Sequence, residues 1–265
     1  MLIRQTAIIF LLLSANIVIA QDCILKNAHA HNDYKHQHPL SDALRHKFAS
    51  IEADIFLVDN ELIVSHTRPI FKKHKTLESL YLKPLLDSCQ KNNGHVYKNC
   101  TESILLLIDV KTDGYKTHLA LKKYLEKYKS ILSTFKNGKI SLNAVTVVIT
   151  GHVPYFSVQK DTSRNYFIDL SLMNLESTLD STQCFMVSTK YSNVLSWKGK
   201  GEIPKAEKEK LTALVNQAHQ QGKLVRLWAS PENKNVWNEL LNCGVDLINT
   251  DELEELNSFL MGIKK

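Results

Sequence analysis

Short apolar runs alternate with amphipathic stretches along most of the chain. The apolar runs with strand character are Lys26–Ala30, Ile51–Phe56, Leu62–Ser65, Ile104–Val110, Ala144–Thr150, Tyr166–Leu170, Cys184–Ser188, Lys223–Trp228 and Asp246–Asn249. Helical spacing is found in Leu40–Lys47, Leu77–Gln90, Lys116–Phe135, Ala206–Gln221, Asn233–Asn242 and Glu252–Met261. Strands separated by helices imply right-handed crossovers and a parallel sheet. Asp59-Asn60 between the second and third runs reads as a local hairpin turn. Setting Leu62–Ser65 aside as an excursion leaves eight parallel strands, the number that closes a TIM (β/α)8 barrel. An open doubly wound sheet is the competing α/β architecture, but no glycine-rich phosphate loop follows the first strand. Repeats, low-complexity runs and Pro/Gly-rich linkers are lacking, so residues 21–265 are expected to form one domain.

The first twenty residues break the pattern. Arg4 is the only charged side chain before Asp22, and the apolar run that follows it ends in a small residue, Ala20. This reads as a signal peptide, residues 1–20, cut before Gln21, so a secreted or periplasmic protein is expected. Ser14 and Asn16 interrupt the run, which weighs against a membrane anchor. The formal net charge is +6, spread along the chain. It suits a generally basic surface and allows peripheral contact with an anionic membrane. No nucleic-acid motif or basic stripe is present, and a monomer is expected. Of the five cysteines, Cys89 and Cys100 flank a polar loop and could pair in an oxidising compartment. The absence of a C-x-x-C pair leaves a structural zinc site unsupported. Asn99-Cys100-Thr101 is a glycosylation sequon.

Polar residues fall where the barrel strands end, which is where such barrels do their chemistry. The first strand runs into His29-Ala30-His31-Asn32-Asp33, the second carries Glu52 and Asp54 in IEADIF, the hairpin ends at Ser65-His66, and LLLIDVK carries Asp109 and Lys111. Side chains alternate faces with a period of two, so Glu52 and Asp54 share one face and Ile51, Ala53 and Ile55 the other. Asp109 pairs with Lys111 in the same way. Converging carboxylates are costly unless neutralised, and a hard divalent cation, Mg2+ or Ca2+, is the expected cofactor. Two histidines beside it suit acid–base chemistry near neutral pH.

The order His31, Glu52-Ala53-Asp54, His66, Asp109-Val110-Lys111 resembles the phosphatidylinositol-phospholipase-C-like phosphodiesterase superfamily, which includes glycerophosphodiester phosphodiesterases and sphingomyelinase D toxins. HAHNDY, HPLSDAL, IEADIFLVDNELIVSH, TLESLYLKPLL, LLLIDVKTDG and VRLWASPENKNVWNELLNCGVDLINTDEL are similar to the altered-inheritance-of-mitochondria branch and its secreted bacterial relatives. The resemblance spans nearly all of the mature chain. It implies a phosphoric diester hydrolase or lyase acting on a phospholipid or glycerophosphodiester-type substrate, the attacking group being water or a hydroxyl of the substrate itself. His31 and His66 would be its catalytic pair, and Glu52, Asp54 and Asp109 its metal ligands. Lys111 would lie near the phosphate, and Trp228 and Asp251 would line the pocket. Asn32 and Asp33 stand where glycerophosphodiesterases carry an arginine and a glycine, so Asn32 would face substrate, with Arg68 or Arg226 supplying the lost positive charge. Asp109 replaces a glutamate and Thr67 an aspartate of those enzymes, which weakens the case for glycerophosphodiesters.

Two other readings stay open at this point. His29 and His31, with His152 and Asp251, could bind zinc as in amidohydrolase-type or related phosphoesterase barrels. The barrel could also be a non-catalytic binding protein.

Overall fold

The structure, a computed structural model, describes residues 23–69, 75–176 and 179–263. The leader expected at residues 1–20 lies outside them. The strands are β1 (Leu25–Ala30), β2 (Phe48–Val58), β3 (Glu61–Val64), β4 (Ile104–Val110), β5 (Thr134–Lys136), β6 (Lys139–Ser141), β7 (Val145–Gly151), β8 (Ser163–Arg164), β9 (Phe167–Ser171), β10 (Cys184–Lys190), β11 (Leu224–Trp228) and β12 (Leu247–Thr250). The helices are α1 (Ser41–Arg45), α2 (Lys83–Lys91), α3 (Gly114–Lys127), α4 (Tyr155–Lys160), α5 (Lys205–Gln220), α6 (Lys234–Asn242) and α7 (Leu253–Ile263).

β1, β2, β4, β7, β9, β10, β11 and β12 pair in that order, every neighbour parallel. β12 and β2 both pair with β1, which closes the cylinder. The chain is therefore an eight-stranded parallel α/β barrel of the TIM type, as its alternation predicts. β3 folds back antiparallel on β2 across Asp59-Asn60, both at positive φ, and stays outside the count of eight.

Period-two alternation divides the strands between two cores. Ile51, Ala53 and Ile55 of β2 and Leu106, Ile108 and Val110 of β4 join the large core under the helices. The opposite faces supply Leu105, Leu107, Val148, Met186 and Leu247, which form a separate apolar cluster inside the cylinder. Continuing along the same inward faces toward the strand C-termini, the residues become polar: Glu52 and Asp54, Asp109, Thr150, Asp169, Ser188, Arg226 and Asn249. A dry plug thus supports a polar mouth.

Two local expectations are corrected. The helix predicted over Lys116–Phe135 ends at Lys127, and Thr134–Lys136 turns through Asn137-Gly138 into β6, forming a small sheet with β8. Cys100 pairs with Cys23, not with Cys89, which is buried with a free thiol. Cys89 faces the core from α2, whereas Cys23 enters beside Ile24 and Ala49 in a small apolar cluster with Cys100. Among the described residues no helix is long and apolar enough to cross a membrane.

Candidate active site

Strand register brings the acids together. β2 and β4 run side by side with Asp54 opposite Asp109 and Glu52 opposite Leu107. One oxygen from each of Glu52, Asp54 and Asp109 lies within 4.8 Å of the others. Oxygens on opposite sides of a calcium-sized ion stand about 5 Å apart, so the spacing suits one shared cation. Asp54 Oδ1 is buried and has no hydrogen-bond partner, an orphan acceptor of the kind a cation would satisfy. Lys111 Nζ donates to Asp109 Oδ2 at 2.6 Å and lies 3.2 Å from Asp54 Oδ2.

Deeper in the barrel, Arg226 donates through Nη1 to Glu52 Oε2 at 2.7 Å and to His29 Nε2 at 2.9 Å. His29 Nδ1 lies 2.7 Å from Ser50 Oγ. Burial pushes His29 down to about 4, so it is neutral, and its Nε2 lies 2.9 Å from Glu52 Oε2 as well as from Arg226 Nη1. Burial alone would raise Glu52, but the Arg226 guanidinium overrides it and holds the carboxyl well below the usual range. Asp169 sits 3.9 Å from Arg226 Nη2 and accepts from Thr150 at 3.0 Å and from Ser188. Burial, against the pull of Arg226, lifts its carboxyl to about 6.

Four carboxylates, Glu52, Asp54, Asp109 and Asp169, therefore meet two permanent cations, Arg226 and Lys111. Acids outnumber the permanent cations in this half-buried setting, and a divalent cation would offset the excess. Burial raises Asp109 despite Lys111, with the charges of Glu52 and Asp54 pushing in the same direction.

The two histidines flank this group. His31 Nδ1 lies 2.8 Å from Asp251 Oδ1, which makes Nδ1 the donor of that pair, and Asn32 Nδ2 lies 3.0 Å from Nε2. Burial would lower His31, but the Asp251 hydrogen bond and the charge of Glu52 outweigh it, and the imidazole is raised above 6.5. His66 is more open, yet its Nδ1 turns inward, 3.3 Å from Asp54 Oδ2. A cavity of about 340 Å3 joins them, lined also by Asn32, Lys111, Thr150, Arg226 and Trp228.

Several expected residues fall into place and some do not. Asn32 adopts a left-handed backbone (φ 47°) that turns its side chain to the cavity. Asp251, expected to line the pocket, is outside the cavity lining and is hydrogen-bonded to His31 Nδ1. Arg226 is buried beneath the site, and Arg68 is exposed and outside the cavity lining. The proposed zinc set does not assemble: His29 is sealed in with both nitrogens engaged, and His152 is exposed with Nδ1 bonded to the Thr112 carbonyl at 2.9 Å. Among the described residues the one group close enough to share an ion is Glu52, Asp54 and Asp109.

Sequence reasoning missed Tyr34. Its hydroxyl lies 2.7 Å from Asn32 Oδ1, 2.8 Å from Asp54 Oδ2 and 3.2 Å from His66 Nδ1. Burial and the Asp54 charge push its pKa well up, so it stays a donor. It sits on a single 3-10 turn after β1, where no periodicity marks it. Gly151 was missed as well. A Cβ there would lie 2.1 Å from Asp109 Oδ1, so the bare backbone at φ 74° lets Asp109 reach the cluster.

A closed parallel barrel with acids and two histidines at its C-terminal mouth defines a protein of the glycerophosphodiester-phosphodiesterase-like class. The chain belongs to the AIM6-like phosphodiesterase family, whose domain matches residues 18–169, and residues 225–254 match the glycerophosphoryl diester phosphodiesterase family. Altered inheritance of mitochondria protein 6 of Kluyveromyces lactis is 29% identical, over 89% of this chain and 72% of the relative. Its homolog in Arthroderma benhamiae is 28% identical, over 87% of this chain and 82% of the relative. The barrel superposes on a glycerophosphodiester phosphodiesterase from Parabacteroides distasonis with a TM-score of 0.59 at 17% identity, over 92% of this chain and all of that one, a likeness of fold.

Proposed function

We propose that this protein hydrolyses a phosphodiester, with Glu52, Asp54 and Asp109 holding one divalent cation, Mg2+ or Ca2+, and His31 and His66 exchanging the protons. The observation that carries this reading is the meeting of three carboxylate oxygens within 4.8 Å, flanked by two imidazoles. When bound, the cation supplies Lewis-acid stabilisation of the charge that builds on the phosphoryl oxygens. Lys111, held among the acids, adds a positive charge on the same side.

The chain's own groups perform the rest. One imidazole takes the proton from the attacking hydroxyl as its oxygen bonds to phosphorus. The other gives a proton to the alkoxide released when the ester P–O bond breaks. Asp251 accepts from His31 Nδ1 and orients the imidazole. Tyr34 orients Asp54 and His66 through one hydroxyl. Asn32 and Trp228 line the cavity wall against which the substrate's alcohol group would lie. The Cys23–Cys100 bridge and the apolar N-terminal twenty residues support export to an oxidising compartment.

A phosphodiester panel with and without chelator, on wild type and His31→Ala, tests the reading. Turnover that needs the cation and drops about 10²- to 10⁴-fold in the variant is expected. Full turnover of every cleaved substrate by His31→Ala removes His31 from the chemistry.

A further inference from the structure

Lys190 closes β10 and Trp228 closes β11, and the two stand opposite each other in the parallel register. Ser188 and Arg226, two residues earlier, form the matching pair on the inward faces of the same strands. Period-two alternation therefore aims Lys190 and Trp228 over the barrel mouth as well. Trp228 lines the catalytic cavity and is 39% exposed. The Lys190 ammonium lies 5.9 Å from the centroid of the Trp228 ring. The proposed chemistry makes no use of this lysine.

The backbone around Lys190 is well anchored. Tyr191, the next residue, is buried and donates its hydroxyl to the Trp197 carbonyl at 2.6 Å. Asn193 donates from Nδ2 to Thr189 Oγ1 at 3.0 Å. Lys111 and Arg226, the other cations of the mouth, are each paired with a carboxylate. Lys190 is exposed and has no ion-pair partner among the described residues. Two acids beyond the neighbouring strands are already engaged: Asp251 accepts from His31, and Glu232 accepts from the Asp251 backbone N–H at 2.7 Å. The face of an indole ring is where a quaternary ammonium group would dock. Here an ammonium of the protein already stands near that ring, so a second cation is repelled and an anion is attracted.

We propose that Lys190 is a specificity-determining residue: beside the Trp228 ring it receives an anionic group carried by the alcohol of the phosphodiester, and it disfavours quaternary ammonium alcohols. This rests on the phosphodiesterase reading for turnover but not for binding. The reacting phosphate lies by Lys111 and between the two histidines. The alcohol extends along the Trp228 wall, which brings its far end to the Lys190 ammonium. An uncharged alcohol of similar size feels neither effect and serves as the reference.

Three alcohols of similar size test this: carboxypropyl, dimethylbutyl and trimethylammonioethyl, which are anionic, neutral and cationic in turn. Binding of their phosphate monoesters is measured by calorimetry on wild type, Lys190→Gln and Lys190→Glu. Turnover of their glycerol phosphodiesters is followed as release of the alcohol by phosphorus NMR. Lys190 is exposed, so the fold tolerates both substitutions. At low salt, wild type is expected to favour the anionic ester about 10-fold over the neutral one, in affinity and in kcat/KM, and to disfavour the cationic ester by about 10-fold. Both ratios should shrink in high salt, as a purely structural role would not make them do. Lys190→Gln should bring both ratios toward one, and Lys190→Glu should reverse the order of the two charged esters. If the neutral diester is cleaved but the ratios are alike in all three proteins, the Lys190 subsite is refuted and the reaction stands. If no diester is cleaved yet monoester affinity follows the charge at position 190, the subsite stands and the reaction reading falls. If no ester is bound or cleaved, both fall. Preference of wild type for the cationic ester overturns the subsite.

Discussion

Arg226 Nη1 stands 2.7 Å from Glu52 Oε2, and the two side chains are almost wholly withdrawn from solvent. They come from strands 174 residues apart, so this ion pair joins the two halves of the barrel under the site. A buried charge without its partner is far costlier than the pair.

Arg226→Leu is therefore expected to lower stability by about 3–5 kcal/mol, since it leaves Glu52 and Asp169 unmatched. Urea unfolding of wild type and variant measures this. A variant as stable as wild type means that Glu52 finds another partner.

Gly151→Ala places a methyl where Asp109 Oδ1 now lies and strains a backbone at φ 74°. Weaker cation binding is expected, by an order of magnitude or more, together with a loss of stability of about 2 kcal/mol or more, because the same Cβ would lie 2.6 Å from the Val110 carbonyl oxygen. Calorimetric titration with Mg2+ and Ca2+ checks it. Unchanged affinity would show that Asp109 does not ligate.

The Cys23–Cys100 bridge closes a segment of 77 residues. Its loss in Cys100→Ser should cost about 4 kcal/mol through the added freedom of the unfolded chain. Cys89→Ser should leave the bridge intact. Peptide mapping under non-reducing conditions reads the pairing directly, and a Cys89-containing bridge would contradict it.

His118, on α3, is buried edge-on to Tyr166 with neither ring nitrogen bonded, near Asp161 and Lys122. Burial pushes it from 6.5 to about 4, against the attraction of Asp161. The unfolded chain thus binds a proton near pH 6.5 that the folded chain refuses until about 4. Its contribution is present above 6.5 and is lost as pH falls through that window. Urea midpoints measured from pH 7 to 4 should fall less steeply for His118→Leu than for wild type. Parallel slopes would rule His118 out as a source of acid sensitivity.

Much of the site could be read from local alternation. IEADIF and LLLIDVK place Glu52, Asp54, Asp109 and Lys111 on inward faces through period two alone, and the barrel's closure then fixes their meeting. The Asp59-Asn60 turn likewise set β3 apart. What escaped depends on contacts between distant segments or on irregular backbone. Tyr34 sits on a lone 3-10 turn, and Asp169 reads as one acid in an apolar strand until Arg226 is seen beside it. The Cys23–Cys100 pairing joins segments that no short-range pattern links. The β5–β6 hairpin did carry a signal, Asn137-Gly138, but a helical stretch before it masked the change of period.

A cation shared by Glu52, Asp54 and Asp109 is the centre of the proposed chemistry. The most direct measurement is phosphodiester turnover by chelator-treated protein as Mg2+ or Ca2+ is added back, for wild type and Asp54→Asn. Wild type should be inactive at first and recover along a saturable curve. The variant should need far more cation or fail to recover. Full activity in excess chelator, or identical curves for the two proteins, would contradict it.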